Sequence, residues 1–131
     1  MDAPRAPEFP GYDRPAAVEV LSRALGQRGG PGLGVAGLGS LPGASVIAAR
    51  SGFFRSSPML VQLGQWRYEA RGDVLATAHV VGGIAVAQGL LTPVNAGEHV
   101  AGALGVFLAE QGERSLPDVL ALLEGLAVAS A

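Results

Sequence analysis

The chain has 131 residues, 49% of them hydrophobic but only 5% aromatic, which indicates one domain with a core of small side chains. Nine arginines and no lysine stand against eleven acidic residues, a net charge of −2 that excludes the basic surface needed for general nucleic-acid binding. The lack of cysteine and lysine also excludes disulfides, thiolate nucleophiles, zinc–thiolate sites, and phosphate-loop or Schiff-base lysines.

The start of the chain predicts a disordered tail. Residues 1–12 contain three prolines and no apolar run, so they do not form a secretory signal, and the expected location is the cytoplasm. The uncharged stretch 74–91 is just long enough for a membrane span, but Thr77, His79 and Gln88 favour a buried sheet segment instead. A composition rich in Ala, Gly, Arg and Val, with one Asn, is typical of a bacterium with a GC-rich genome.

A single domain is expected over 13–131, and it begins with a helix. Asp13 as cap, Pro15 in the first turn and Gly26 past the end predict a short amphipathic helix over 14–25. The next eighteen residues, 26–43, hold eight glycines and two prolines. Because this composition disfavours helix and central strand alike, we expect a flexible segment there.

An antiparallel meander follows the glycine-rich segment. A short strand is expected at 45–49, a turn at 50–58, and a hairpin formed by 59–70 and 74–81. A three-residue loop that pairs Ala70 with Val74 sorts apolar from polar side chains best. Gly82-Gly83 predicts a second hairpin with Val81 opposite Ile84 and Thr77 opposite Gln88. The alternative for 74–91 is one helix, which its alanines favour.

Two helices end the chain. Thr92 before Pro93 predicts a helix to about Gln111, and the pair Ser115 and Asp118 resembles a capping box that opens a second helix. The predicted fold is α+β: an N-terminal helix, a three- to four-stranded antiparallel meander, and two C-terminal helices packed on its alanine-rich face.

The familiar catalytic and cofactor motifs are missing or incomplete. Gly32, Gly34 and Gly37 match the bare dinucleotide pattern, but no strand precedes them and no acidic residue follows at the required spacing. His79 and His99 have no ligand spacing that suits zinc, and no Gly-x-Ser-x-Gly occurs. We therefore predict no catalytic residue, no metal site and no cofactor.

One set of polar residues stands out on a single face of the predicted meander. A solvated polar face is the simplest explanation, since antiparallel sheets commonly have one. Apolar residues such as Val86 and Leu90 share that face, however, and they favour a covered surface. The candidate binding residues for a ligand or a partner are Gln65, Arg67, Glu69, Thr77, His79 and Gln88.

These features favour a small non-enzymatic protein-interaction module, most simply a homodimer that uses the mixed sheet face or the last helix. Residues 1–72 carry eight arginines against five acids, and residues 73–131 carry one against six, so the halves could also attract each other between subunits. The alternative is a binder of, or an enzyme acting on, a small apolar ligand held against the sheet and oriented by Arg67, His79 and Gln65.

Overall fold

The computed structural model describes residues 2–47 and 60–131. These residues contain four α-helices and five strands. The helices and strands are α1 (Arg14–Leu25), α2 (Gly30–Gly39), β1 (Ser45–Ile47), β2 (Leu60–Leu63), β3 (Trp66–Arg71), β4 (Val74–Val81), β5 (Ile84–Leu91), α3 (Pro93–Gln111) and α4 (Leu116–Ala129). A 3₁₀ helix, Glu113–Ser115, joins the last two helices. The predicted α+β class is confirmed.

The strands form one antiparallel sheet in the order β1-β2-β3-β4-β5. The sheet has more strands than predicted because a turn at Gly64 and Gln65 divides the strand predicted over 59–70 into β2 and β3. Gly64 has a φ of +56° in this turn. Sequence reasoning missed this turn because the residues on either side of it alternate as one strand would. The turn predicted at 50–58 lies outside the described residues, as do 48 and 49.

All four helices lie on one side of the sheet. Helix α3 packs on β2, β4 and β5, α2 packs on β2 and β3, and α1 packs against the other three helices. We call this side of the sheet the covered face and the opposite side the open face. The core lies between the covered face and the helices. It contains Val61, Leu63, Tyr68 and Leu75 from the sheet, with Leu104 and Leu108 among the helix residues.

The β3–β4 turn differs from the predicted one by one residue. Arg71 pairs with Val74 and Ala70 with Leu75, so the loop has two residues, with Gly72 at φ +61°. A slip of one residue turns every side chain of a strand to the other face. Leu75 therefore enters the core, whereas Ala76 and Ala78, predicted to face the helices, lie on the open face with their partners Glu69 and Arg67.

The β4–β5 hairpin contains a bulge. Val81 lies opposite Ile84 as predicted, but His79 pairs with Ala87 while Val80 pairs with Ala85, which leaves Val86 as an extra residue on β5. Beyond the bulge Thr77 therefore faces Gly89 and not Gln88.

The glycine-rich segment contains a helix, which corrects the expectation of a flexible loop. Helix α2 lies so close to its neighbours that a Cβ at Gly34 would be 2.6 Å from Leu25 Cδ2, and one at Gly37 would be 2.5 Å from Leu122 Cδ1. Glycine costs about 1 kcal/mol in a helix relative to alanine, but here it allows contact that larger residues would block. Tertiary packing therefore outweighs local propensity.

The N-terminal segment, residues 2–12, is irregular but packed, which corrects the prediction of a disordered tail. Pro4 is buried, and its carbonyl oxygen lies where a Cβ on Gly102 of α3 would be. The Tyr12 hydroxyl donates to the Ala101 carbonyl oxygen at 2.6 Å, and burial raises the pKa of that phenol above its ordinary value. The small residues of α3 allow the segment to lie directly against that helix.

Local capping positions the helices that flank the sheet. Asp13 accepts from the Ala16 amide, and Thr92 accepts from the Asn95 amide, so both predicted caps are present. Ser115 precedes α4 without a capping hydrogen bond from its side chain. Among the described residues, none of the helices combines the length and apolar character that a membrane crossing requires.

Candidate functional site

The six candidate residues divide between three places in the structure. Arg67, Glu69 and Gln88 share the open face, because they alternate with the buried residues of β3 and β5. Thr77 and His79 lie on the covered face, and Gln65 occupies the β2–β3 turn. The one-residue error in the β3–β4 loop accounts for Thr77 and His79, since it placed β4 on the wrong face relative to β3, and the turn at Gly64 and Gln65 accounts for Gln65.

A groove of about 350 Å³ runs along β4 on the open face. It exists because the two open-face residues in the middle of β4, Ala76 and Ala78, have short side chains, while longer side chains rise from the strands on both sides. We call it the open-face groove; its lining includes Leu60, Arg67, Glu69, Arg71, Ala76, Ala78, Gln88 and Leu90.

Three charged side chains of β3 form one wall of this groove. Arg71 and Glu69 make an ion pair through the arginine Nε. Arg67 Nη2 donates to Gln62 Oε1 at 3.3 Å, but Arg67 Nε is buried and has no hydrogen-bond partner within residues 2–47 and 60–131. Arg67 therefore retains hydrogen-bonding capacity, whereas the charge of Arg71 is already compensated.

A buried polar pair lies between the sheet and α3 on the covered face. The Tyr68 hydroxyl and His99 Nδ1 are 2.7 Å apart, and the two residues are 0% and 1% exposed. Burial lowers the pKa of His99 to about 4 and raises the pKa of Tyr68 well above its usual value. Both side chains are therefore neutral near pH 7.

Trp66 joins this pair to the second histidine. The His79 ring stacks on the indole with centroids 4.3 Å apart, while the His99 ring meets it edge-on at 4.7 Å. His79 Nε2 donates to Gln65 Oε1 at 2.9 Å, which fixes the orientation of the stacked ring. Two of the predicted residues, Gln65 and His79, are thus hydrogen-bonded to each other, but they lie in a different place from Arg67.

The chemistry available to this cluster is limited by access. Thr77 Oγ1 and His99 Nε2 are buried and have no partner among the described residues. Tyr68, Thr77 and His99 are each at most 4% exposed, so a substrate does not reach them in this conformation. In the part of the chain that the structure describes, no three His, Asp or Glu side chains are grouped so that they could hold a metal ion.

Sequence reasoning missed His99 and Arg71 as members of these clusters. His99 precedes Ala103 by four residues and Phe107 by eight, which places it on the apolar side of α3. That spacing was the available signal for its burial. Arg71 had been assigned to the loop, so its place on β3 beside Glu69 depended on the register.

The other exposed feature is β5, which lies at the edge of the sheet and which we call the β5 edge. Its eight residues, Ile84–Leu91, include no charged residue and no proline. Ile84, Val86 and Leu90 are 68%, 59% and 64% exposed. A long uncharged edge strand is a template for pairing with another chain.

Comparisons with known proteins give one result that bears on this chain. Neither the search of curated proteins nor the search of solved structures returned a match. A family described as "Domain of unknown function (DUF5073)" matches residues 9–128, a range that runs from the N-terminal segment to the end of α4. The chain therefore belongs to the family "Domain of unknown function (DUF5073)".

Proposed function

We propose that this protein is a non-enzymatic protein-interaction module that forms a homodimer through the β5 edge. The observation that carries the proposal is the exposure of an eight-residue edge strand without a charged side chain. Pairing two β5 strands in antiparallel fashion would satisfy their free backbone groups and join two sheets of five strands into one.

The composition of β5 supports pairing at this edge over solvent exposure. Natural edge strands are usually protected by charges, proline, short length or a bulge. On β5 only the bulge at Val86 belongs to this group, and it leaves residues 87–91 as a regular edge. The opposite edge strand, β1, is in contrast protected by its short length of three residues.

The size of the edge predicts a weak dimer. The regular residues 87–91, at about 3.4 Å each, give an edge of about 17 Å, and pairing along the whole strand, about 27 Å, would bury at most on the order of 600 Å² in total. Stable interfaces usually exceed about 1,000 Å², so we expect monomer and dimer to exchange with protein concentration. The two-fold axis of such a pair places both open faces on the same side, where a further protein partner could contact both copies.

Sedimentation velocity over a wide concentration range tests this function, with Val86→Lys as the disruptive variant. A lysine at this position places a charge on the edge strand and should shift the protein to monomer. Val128→Lys is the matched control, because Val128 is 73% exposed on α4 and offers the last helix as the competing interface.

Each outcome bears on the proposal. Loss of the dimer in Val86→Lys but not in Val128→Lys supports the β5 edge. The reverse pattern assigns the interface to α4, and a wild-type monomer at every concentration rejects self-association.

The proposed setting is the cytoplasm of a bacterium with a GC-rich genome, which rests on the sequence composition alone. The same composition argues against nucleic acid as the partner, because nine arginines are outweighed by eleven acids.

A further inference from the structure

We propose that the open-face groove binds a small amphipathic carboxylate, with the carboxylate on Arg67 and the hydrocarbon part along Ala76 and Ala78. The inference goes beyond dimer formation and does not depend on it. The groove lies over β4, one strand in from the edge, although Gln88 and Leu90 of β5 form its far wall.

The shape of the groove comes from the sequence of three adjacent strands. Two alanines form its floor, and the side chains of Arg67 and Glu69 on one side and Gln88 and Leu90 on the other form its walls. A sheet face whose side chains were all of equal length would have no groove. This difference in side-chain length yields a volume of about 350 Å³, at the lower end of the range of small-molecule sites, roughly 300–1,000 Å³.

The charge of the groove selects a monoanion. Glu69 and Arg71 compensate each other as an ion pair, which leaves the single positive charge of Arg67. Within residues 2–47 and 60–131, Arg67 is bonded to the neutral amide of Gln62 and makes no ion pair. Residues 48–59 contain no Asp or Glu, so the sequence supplies no carboxylate for Arg67 from that segment either.

The guanidinium of Arg67 identifies the kind of anion. The side chain is half-buried, and among the described residues it donates only to Gln62, through Nη2, so it has N–H groups left for a ligand. A planar guanidinium with free N–H groups matches the two oxygens of a carboxylate. The one uncompensated positive charge of Arg67 balances a monoanion but not a dianion such as a phosphate monoester.

The remaining lining identifies the rest of the ligand. Ala76 and Ala78 of β4, with Leu90 beside Ala76, provide an apolar surface, and Gln88 lies beside Ala78 as a neutral polar group. An unbranched alkyl chain attached to the carboxylate would cover these residues and remove them from water. The occupant is therefore an amphipathic monocarboxylate such as a medium-chain fatty acid.

Isothermal titration calorimetry of the full chain with sodium decanoate, kept below its micelle concentration, tests this proposal. Decyltrimethylammonium, with the same tail and the opposite charge, is the matched ligand control. We expect saturable binding of one decanoate per chain and no comparable binding of the cation. Because a hydrogen bond to a charged group contributes about 1.5–3 kcal/mol, Arg67→Gln should weaken decanoate binding by about tenfold or more.

Three further variants keep the result interpretable. Arg114→Gln removes an exposed arginine outside the groove and should bind decanoate as the wild type does. Ala78→Val keeps Arg67 but raises the floor of the groove, so it should also weaken binding, and it decides the matter if Arg67→Gln fails to fold. Val86→Lys, which targets the dimer, should leave decanoate affinity unchanged.

The proposal is overturned by any of three results: no saturable decanoate binding, equal affinity for the decyl cation, or unchanged affinity in either Arg67→Gln or Ala78→Val as a folded protein.

Discussion

Acid should destabilise this protein through His99. Its pKa is about 4 in the folded state, because the side chain is buried, against 6.5 for an unperturbed histidine. Below pH 6.5 the unfolded chain takes up a proton at this residue, while the folded chain does so only near pH 4. The free energy of unfolding therefore falls as the pH drops through this window and is unaffected by His99 above it.

The size of the effect follows from the same two values. One pKa unit corresponds to about 1.4 kcal/mol, so the difference between the folded and unfolded states gives about 3 kcal/mol at full extent. That is a large part of the 5–15 kcal/mol by which domains are commonly stable.

Urea denaturation at pH 7, 6, 5 and 4 measures this loss, with His99→Gln as the matched variant. Glutamine is polar but does not titrate, so the variant should lose about 3 kcal/mol less than the wild type between pH 7 and pH 4. The two proteins differ only at residue 99, so the contributions of all other residues cancel in the comparison. An equal loss in the two proteins would show that His99 is not held neutral in the fold.

Four other substitutions have defined outcomes. Tyr68→Phe leaves His99 Nδ1 without its partner and should lower the free energy of unfolding by about 1–3 kcal/mol in urea denaturation, and an unchanged value would contradict the hydrogen bond. Asp13→Ala removes the cap of α1 and should cost about 1 kcal/mol, measured in the same way. Gly102→Ala places a methyl group against the Pro4 carbonyl oxygen, so it should expose the N-terminal segment to proteolysis after Arg5. Gly125→Ala is the control: it has open space around it and should raise the free energy of unfolding by about 1 kcal/mol. Equal rates of proteolysis in the two variants would refute the packing of Pro4 on Gly102.

The sequence predicted the elements whose signals are local. Asp13 and Thr92 cap their helices, and Gly82-Gly83 forms a hairpin turn, because each depends on residues within a few positions. The α+β class followed from these signals. Nothing local distinguished a loop of two residues from one of three after β3, since Gly72 suits both.

The candidate site depended on that choice and was therefore only partly predictable. Arg67 and Glu69 share a face in any register, because they lie two apart on one strand. Whether Thr77 and His79 join them depends on the face that Leu75 occupies: the predicted register puts this apolar residue on the polar face, whereas in the structure it belongs to the core. The position of Leu75 on the polar face was thus the sign that the predicted register was wrong.

The packed glycine-rich helix and the ordered N-terminal segment were beyond local reasoning. Gly34 and Gly37 are unfavourable in an isolated helix, and only the proximity of Leu25 and Leu122 explains them. Likewise, the composition of residues 2–12 predicts disorder, because it does not show that Gly102 of α3 leaves room for Pro4 to pack. Both outcomes are set by distant partners in the chain.

The position of Trp66 gives the protein an optical reporter of its own histidines. It is the single tryptophan, and one imidazole covers its face while another meets its edge. Protonation of His99 would require the edge contact with the indole to open. The intrinsic fluorescence of the unlabelled protein therefore follows the loss of the buried Tyr68–His99 pair during acidification.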